Sequence, residues 1–269
     1  MNEQNEIQPS DGISMSMGEK LINIITAPTV VFEHIREKVT WQDYIIPLLI
    51  AVAFVGISSI VSAPYTLELT KKAIKAQSSR VVNQDMSEEQ RQSIENRFQE
   101  QIDKQEERYS PPKVYYWSFL RALGGIGLSL MVLAGIYYFS GNTILAGQTA
   151  FPKVLALVTL PQMVKVIESV YNMVFVSMTN SIEVPSSLAV FLPYGMTDVF
   201  SLERYQQAMF TLLSQIDIFT VWRMVLFTIG FSIIYKVSKG KAAAVVFGWW
   251  TFWMVITTAG SFLFAGLAG

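Results

Sequence analysis

The chain has 269 residues, of which 51% are hydrophobic and only 15% are charged, against about 25% charged in a soluble domain. Its formal net charge of −1 lacks the basic excess of a nucleic-acid-binding protein, so no nucleic acid is expected as a partner. With no cysteine and a single histidine, His34, the composition excludes disulfides, iron–sulfur clusters and cysteine- or histidine-rich metal sites, and we expect no cofactor.

Residues 1–43 precede the first apolar stretch and are predicted to form a polar arm followed by two short amphipathic helices. Residues 1–15 are predicted to be disordered, because they offer little apolar surface to bury. Ser16 and Glu19 have the spacing of a capping box, which predicts that a helix begins there. Pro28 separates this helix from the second. Both helices are expected to rest at the membrane interface, and an ordinary linker is the alternative interpretation.

Five stretches are long and apolar enough to cross a membrane, because a helix needs about 20 such residues to span roughly 30 Å of hydrocarbon. In lipid the backbone must satisfy its own hydrogen bonds, which excludes loops and open strands. The predicted spans are residues 44–65, 115–139, 151–178, 216–235 and 242–267. The expected fold is therefore an all-α polytopic membrane protein, with residues 44–269 forming one five-span membrane domain.

One large polar segment, residues 68–113, carries nine acidic and nine basic residues and is predicted to be an extramembrane helical insertion. Ser87 and Gln90 have capping-box spacing, and the apolar repeat that follows predicts a helix near residues 88–108. A solvated helix lying over the bundle is one interpretation. A helix that pairs with a partner or with a second copy of the chain is the other.

Lysine and arginine residues in short loops set the orientation of a membrane protein. The connection between the last two spans carries Lys236, Lys239 and Lys241, which predicts that this loop is cytoplasmic. With five spans, the N-terminus is then cytoplasmic as well, and the C-terminus is external.

Polar and charged side chains within the spans are the strongest candidates for a functional site, because burying them in lipid is costly. The third span is the most polar, and Pro161 is expected to kink it. Its candidate residues are Gln162, Lys165, Glu168, Ser169 and Asn172. Charged residues of the second and fourth spans complete the candidate cluster: Arg121, Asp217 and Arg223. Asp217 is also predicted to start the fourth helix together with Ser214.

The spacing of these charges predicts specific pairs. Glu168 is expected to pair either with Lys165, three residues earlier, or with Arg223, which lies at a similar depth in the fourth span. Arg121 is shallower and is expected to extend towards the outer headgroups. Two interpretations stay open: the charges fix helix register by pairing, or they line a polar cavity for a small solute, an ion or a lipid headgroup.

Small residues in the spans let helix backbones approach each other closely. Gly124, Gly125 and Gly127 in the second span are interpreted as intramolecular packing positions, as are Ser58 and Ser62 in the first, with a homodimer face as the alternative. The expected partners are membrane lipid and either a second copy of the chain or another membrane protein. The sequence has no HExxH, GxSxG or phosphate-binding glycine motif, so we expect no enzymatic activity.

Three segments carry a family resemblance. They are APTVVFEHIREKVTWQDYIIPLLI at the first span, FPKVLALVTLPQMV at the third, and LLSQIDIFTVWRMVLFTIGFSIIYKVSKGKAAAVVFGWW across the last two. In the third segment, Asp217, Phe219 and Trp222 lie at the head of the fourth span. These features resemble the Yip family of multi-pass membrane proteins, named for their interaction with Ypt/Rab GTPases. The resemblance runs from about Ile24 to Trp253.

This resemblance implies five helical spans, a cytoplasmic N-terminus and no enzymatic activity. Eukaryotic members are implicated in Rab binding, membrane shaping and vesicle transport. The short polar arm and the long charged first loop look like those of prokaryotic members, which have no Rab partners. We therefore expect a membrane-organising or scaffold protein in the plasma (inner) membrane of a prokaryote. The alternative is a transporter or channel for a small solute, an ion or a lipid that uses the polar face of the third span.

Overall fold

The computed structural model describes residues 15–82, 86–183, 185–195 and 202–265. These residues form helices joined by turns, and no strand occurs among them, which confirms the all-α prediction. Most of the arm predicted to be disordered, residues 1–15, lies outside the described residues, since only Met15 is described.

Five helical segments of the described chain are long and apolar enough to cross a membrane, which confirms the predicted number. The third contains two helices. The segments are α3 (Gln42–Val81), α5 (Lys113–Phe139), α6 (Phe151–Thr159) with α7 (Met163–Thr179), α9 (Ile218–Tyr235) and α10 (Lys239–Ala265). The remaining α-helices are α1 (Met17–Thr26), α2 (Pro28–Glu37), α4 (Glu88–Tyr109) and α8 (Arg204–Ser214).

The third span is interrupted at the predicted proline. Pro161 has no N–H to donate and its ring clashes with the preceding turn, so it disfavours a continuous α-helix. The chain tightens into a 3₁₀ turn at Leu160–Gln162, between α6 and α7. This interrupted span is the most enclosed of the five, with 61% of its most apolar window buried against 17–39% in the others.

Helix α3 continues well past the predicted end of the first span at residue 65. Its 40 residues are about 60 Å long at ~1.5 Å per residue, twice the thickness of the hydrocarbon core. The C-terminal part of α3 therefore projects beyond the membrane. A change from apolar to polar side chains ends the span but not the helix, because the backbone hydrogen bonds continue in water.

Helix α4 turns back along this projection, so the polar insertion forms a helical hairpin. The Lys71 ammonium lies 2.7 Å from a Glu106 carboxylate oxygen, and Ile74 and Ile102 are buried in the same contact. The predicted capping box at Ser87 is present at the start of α4. The helix thus packs along the extension of α3, whereas one of the two interpretations placed it over the bundle.

The N-terminal helices pack into the bundle. The predicted capping box is present: Glu19 N–H donates to Ser16 Oγ over 3.3 Å, and Ser16 N–H donates to Glu19 Oε2 over 2.7 Å. The second of these bonds holds the pKa of Glu19 below its usual range. Ile24 and Phe32 are fully buried. The apolar faces that we expected to contact the membrane interface therefore contact protein.

The largest hydrophobic core lies at one end of the bundle, which we call the core end. It joins α1 and α2 to the C-terminal parts of α5 and α9, to α6 with the 3₁₀ turn that follows it, and to the N-terminal part of α10. At its centre the Tyr137 ring stands edge-on to Phe227 and Phe231, with ring centroids 5.9 and 5.7 Å apart. We call the opposite end, from which α3 and α4 project, the hairpin end.

Candidate polar site within the membrane domain

A polar cavity of about 510 Å³ lies between α3, α5 and α7 in the half of the bundle nearer the hairpin end. This volume falls within the range of small-molecule sites. Three charged side chains line the cavity, and they are Arg121, Lys165 and Glu168. Together they give it one net positive charge.

Helix α7 contributes four of the predicted residues. Lys165, Glu168, Ser169 and Asn172 recur at helical spacing and all line the cavity. The Lys165 ammonium lies 2.7 Å from Glu168 Oε1, which is the first of the two pairs predicted for this carboxylate. Ser169 Oγ donates to the Lys165 carbonyl over 2.8 Å. These contacts hold the charged pair against one wall of the cavity.

Helix α3 supplies a row of hydroxyl groups on the opposite wall: Ser58, Ser59, Ser62 and Thr66. The sequence predicts the serines at 58 and 62 as small packing residues, whereas the structure places them in the cavity wall. The four-residue spacing of hydroxyl side chains at 58, 62 and 66 places them on one helix face, and this pattern could have indicated a polar wall from the sequence.

Helix α5 contributes Arg121, whose side chain is predicted to extend towards the outer headgroups. The structure places it in the cavity wall while leaving its side chain exposed at the bundle surface. It makes no salt bridge or hydrogen bond within the part of the chain that the structure describes. Arg121 is therefore the unpaired cation of this site.

Three predicted residues lie outside the cavity. Gln162 is buried at the 3₁₀ turn, where its side-chain amide donates to the Val158 carbonyl over 2.9 Å. The Arg223 guanidinium donates to Thr220 Oγ1 over 2.9 Å. No salt bridge joins Glu168 to Arg223 among the described residues, so the second predicted pair is not formed. The carboxylate is instead occupied by the nearer partner within its own helix.

Asp217, the third residue outside the cavity, caps α9 alone. Its Oδ1 accepts hydrogen bonds from the N–H groups of Phe219 and Thr220, both 2.9 Å away. Ser214, the predicted partner, donates to the Thr211 carbonyl at the end of α8. The predicted pair of Ser214 with Asp217 is therefore wrong, because Ser214 lies at the end of α8 and Asp217 caps the start of α9.

Two oxygens of cavity-lining residues are covered and accept no hydrogen bond in the described part of the chain. They are Glu168 Oε2 and Asn172 Oδ1. A covered acceptor without a donor costs free energy. The site therefore contains one unmatched cation and two unmatched acceptors, although the acceptors do not face open space.

The second-span glycines do not act as close-packing positions within the chain. A Cβ built at Gly124, Gly125 or Gly127 would meet no atom within 4 Å. Intramolecular packing, our first interpretation of these residues, therefore does not describe them. Gly125 also lines the cavity, so the wall formed by α5 is thin on this side.

A buried ion pair at the core end was not predicted from the sequence. The Lys20 ammonium lies 2.6 Å from Asp43 Oδ1, and the two side chains are only 7% and 0% exposed. Asp43 Oδ2 also accepts from the N–H and the hydroxyl of Thr40. The pair ties α1 to the start of α3. Its partners are 23 residues apart, so no local spacing indicated it.

Among the described residues, no group of three or more histidine, aspartate or glutamate side chains is placed to hold a metal ion.

A protein-family model described as the Yip1 domain matches residues 22–261 of the chain. No curated protein and no solved structure matches it.

Proposed function

The chain belongs to the Yip1 domain family, and from that premise we propose that it is a non-enzymatic membrane-organising or scaffold protein. The observation that carries this proposal is the closed core end. Leu157 and Leu160 of the third span are fully buried there, together with Phe231 of α9. The polar cavity thus meets packed apolar side chains, and a packed interior resists the passage of polar solutes.

The surface of the bundle also supports a role in organising the membrane. Spans α3, α5 and α10 have only 17–22% of their most apolar windows buried, so most residues in these windows keep some surface available to lipid. The hairpin of α3 and α4 adds a charged projection beyond the bilayer. Membrane lipid is the first proposed partner, and a second copy of the chain or another membrane protein is the other.

We place the core end in the cytoplasm, with the N-terminus inside and the hairpin outside, in the plasma membrane of a prokaryote. Lys236, Lys239 and Lys241 lie at the core end and support this orientation through the positive-inside rule. The hairpin carries both signs of charge in equal number and therefore gives little opposing preference.

The alternative is a transporter or channel for a small solute, an ion or a lipid. One observation favours it: the third span breaks at Leu160–Gln162, close to the charged Lys165, and discontinuous helices with charged sites near the midplane are typical of transporters. Five spans do not divide into two equal repeats within one chain, which favours the scaffold.

Reconstitution into liposomes separates the two functions. For a scaffold, we expect ion and solute efflux equal to that of protein-free liposomes, together with a changed distribution of vesicle shapes in electron micrographs. Efflux that disappears in a Lys165→Met/Glu168→Gln variant would establish the transporter. Vesicle shapes indistinguishable from those of liposomes containing the heat-denatured protein would remove the membrane-organising role.

A further inference from the structure

The polar cavity contains a charge that the protein does not neutralise. Lys165 is paired with Glu168, whereas Arg121 has no carboxylate partner in the described part of the chain. An unpaired arginine within a span is costly, and a bound anion lowers that cost. The one net positive charge of the site matches an anion with a single negative charge.

The neutral groups around Arg121 are suited to the same ligand. Ser58, Ser62 and Ser118 line the cavity, and their hydroxyl groups make no hydrogen bond with the described residues. Hydroxyl groups and a guanidinium are the donors that hold phosphate oxygens, the guanidinium through two parallel hydrogen bonds. The donor set therefore fits a phosphodiester, which carries one negative charge.

An ammonium group finds no free carboxylate oxygen among the described residues of the cavity. Glu168 Oε1 is taken by Lys165, and Glu168 Oε2 and Asn172 Oδ1 are covered. A zwitterionic headgroup would bring its positive charge next to two cations without a free carboxylate oxygen. The site therefore favours an anionic headgroup over a zwitterionic one.

The surroundings of Arg121 indicate a lipid as the source of the phosphate. Its neighbours Leu120 and Leu123 are 56% and 46% exposed on the outer face of α5, and the adjacent Gly124 and Gly125 leave open space beside it. Acyl chains can lie on this apolar face while the headgroup enters from the side.

The depth agrees with this source. Arg121 lies five residues from the middle of α5 (Lys113–Phe139), or about 7.5 Å at ~1.5 Å per residue. Its side chain leans towards the helix N-terminus, which is the hairpin end. A long arginine side chain in this position approaches the plane of the headgroups.

We propose that the cavity between α3, α5 and α7 binds the headgroup of a singly charged anionic phospholipid, with Arg121 as the main phosphate ligand. This site goes beyond the proposed membrane-organising function and does not depend on it, since a scaffold and a transporter could both hold such a lipid.

Native mass spectrometry of the purified full-length chain tests the proposal. With phosphatidylglycerol and phosphatidylcholine supplied in equal amounts, we expect selective retention of phosphatidylglycerol. Arg121→Gln should weaken that retention about tenfold or more, because it removes a charge-assisted hydrogen bond. Arg223→Gln removes the same charge from a span outside the cavity and is the matched control, with retention expected to stay unchanged. Arg121→Lys should show an intermediate retention, because lysine keeps the positive charge but lacks the guanidinium that donates two parallel hydrogen bonds.

Four outcomes with the wild type and the arginine variants would overturn the proposal. They are equal retention of both lipids by the wild type, full retention by Arg121→Gln, an equal loss in Arg223→Gln, and competition by soluble glycerophosphoglycerol at the same concentration as the lipid. The last would identify a free anion as the ligand. Ser62→Leu gives a second variant that alters no charge but narrows the cavity, and it should also reduce retention of phosphatidylglycerol. Unreduced retention would likewise contradict the site.

Discussion

At the residue scale, the structure separates the charges by how completely they are buried. The pair of Lys20 with Asp43 is almost wholly enclosed, whereas Glu100 and Lys104 of the hairpin form an exposed pair 2.7 Å apart. Burial raises the cost of losing one partner, because the remaining charge has no water to solvate it. Exposed pairs contribute little, since water and salt screen them.

Asp43→Ala should therefore lower the free energy of unfolding by about 3–5 kcal/mol, because Lys20 stays buried without a partner. The matched surface change, Glu100→Ala, should cost less than about 1 kcal/mol. Thermal unfolding in detergent measures both. A double variant, Lys20→Met with Asp43→Leu, should recover much of the loss, since it removes both charges. Equal losses in Asp43→Ala and Glu100→Ala would show that the buried pair does not hold α1 in place.

At the element scale, the N-terminal helices belong to the bundle. Phe32 of α2 packs directly on α9, where a Cβ added at Gly230 would lie 2.7 Å from the aromatic ring. Gly230→Ala should therefore destabilise the protein by roughly 1–3 kcal/mol through overpacking. Gly124→Ala is the matched control, because its Cβ meets nothing, and it should be neutral or slightly stabilising.

The melting temperatures of the two glycine variants in detergent measure how strongly an added Cβ destabilises the protein at each position. Adding Phe32→Ala to Gly230→Ala should give a smaller loss than the sum of the two single changes, because the clash disappears with the ring. If the two glycine variants have the same melting temperature, α2 does not pack on α9 and rests on the membrane surface instead.

At the scale of the whole molecule, hydropathy and local spacing predicted the number of spans, both serine capping boxes and the contact of Lys165 with Glu168. Each depends on residues close together in sequence. The position of Arg121 in the cavity depends on the rotation of α5 about its own axis. The contact of Phe32 with Gly230 depends on the docking of two distant helices. Neither feature produces a pattern among residues close together in sequence, and so neither could be predicted from the sequence.

Both the fold and the proposed lipid site depend on the chain crossing the membrane five times. Since the chain has no cysteine, a single introduced cysteine reports one position without background. Ser93 of the hairpin and Ser238 of the core-end loop are both exposed, and three spans lie between them. In intact cells a membrane-impermeant maleimide should label Ser93→Cys, and it should label Ser238→Cys only after permeabilisation. Labelling of both positions from the same side would contradict five crossings.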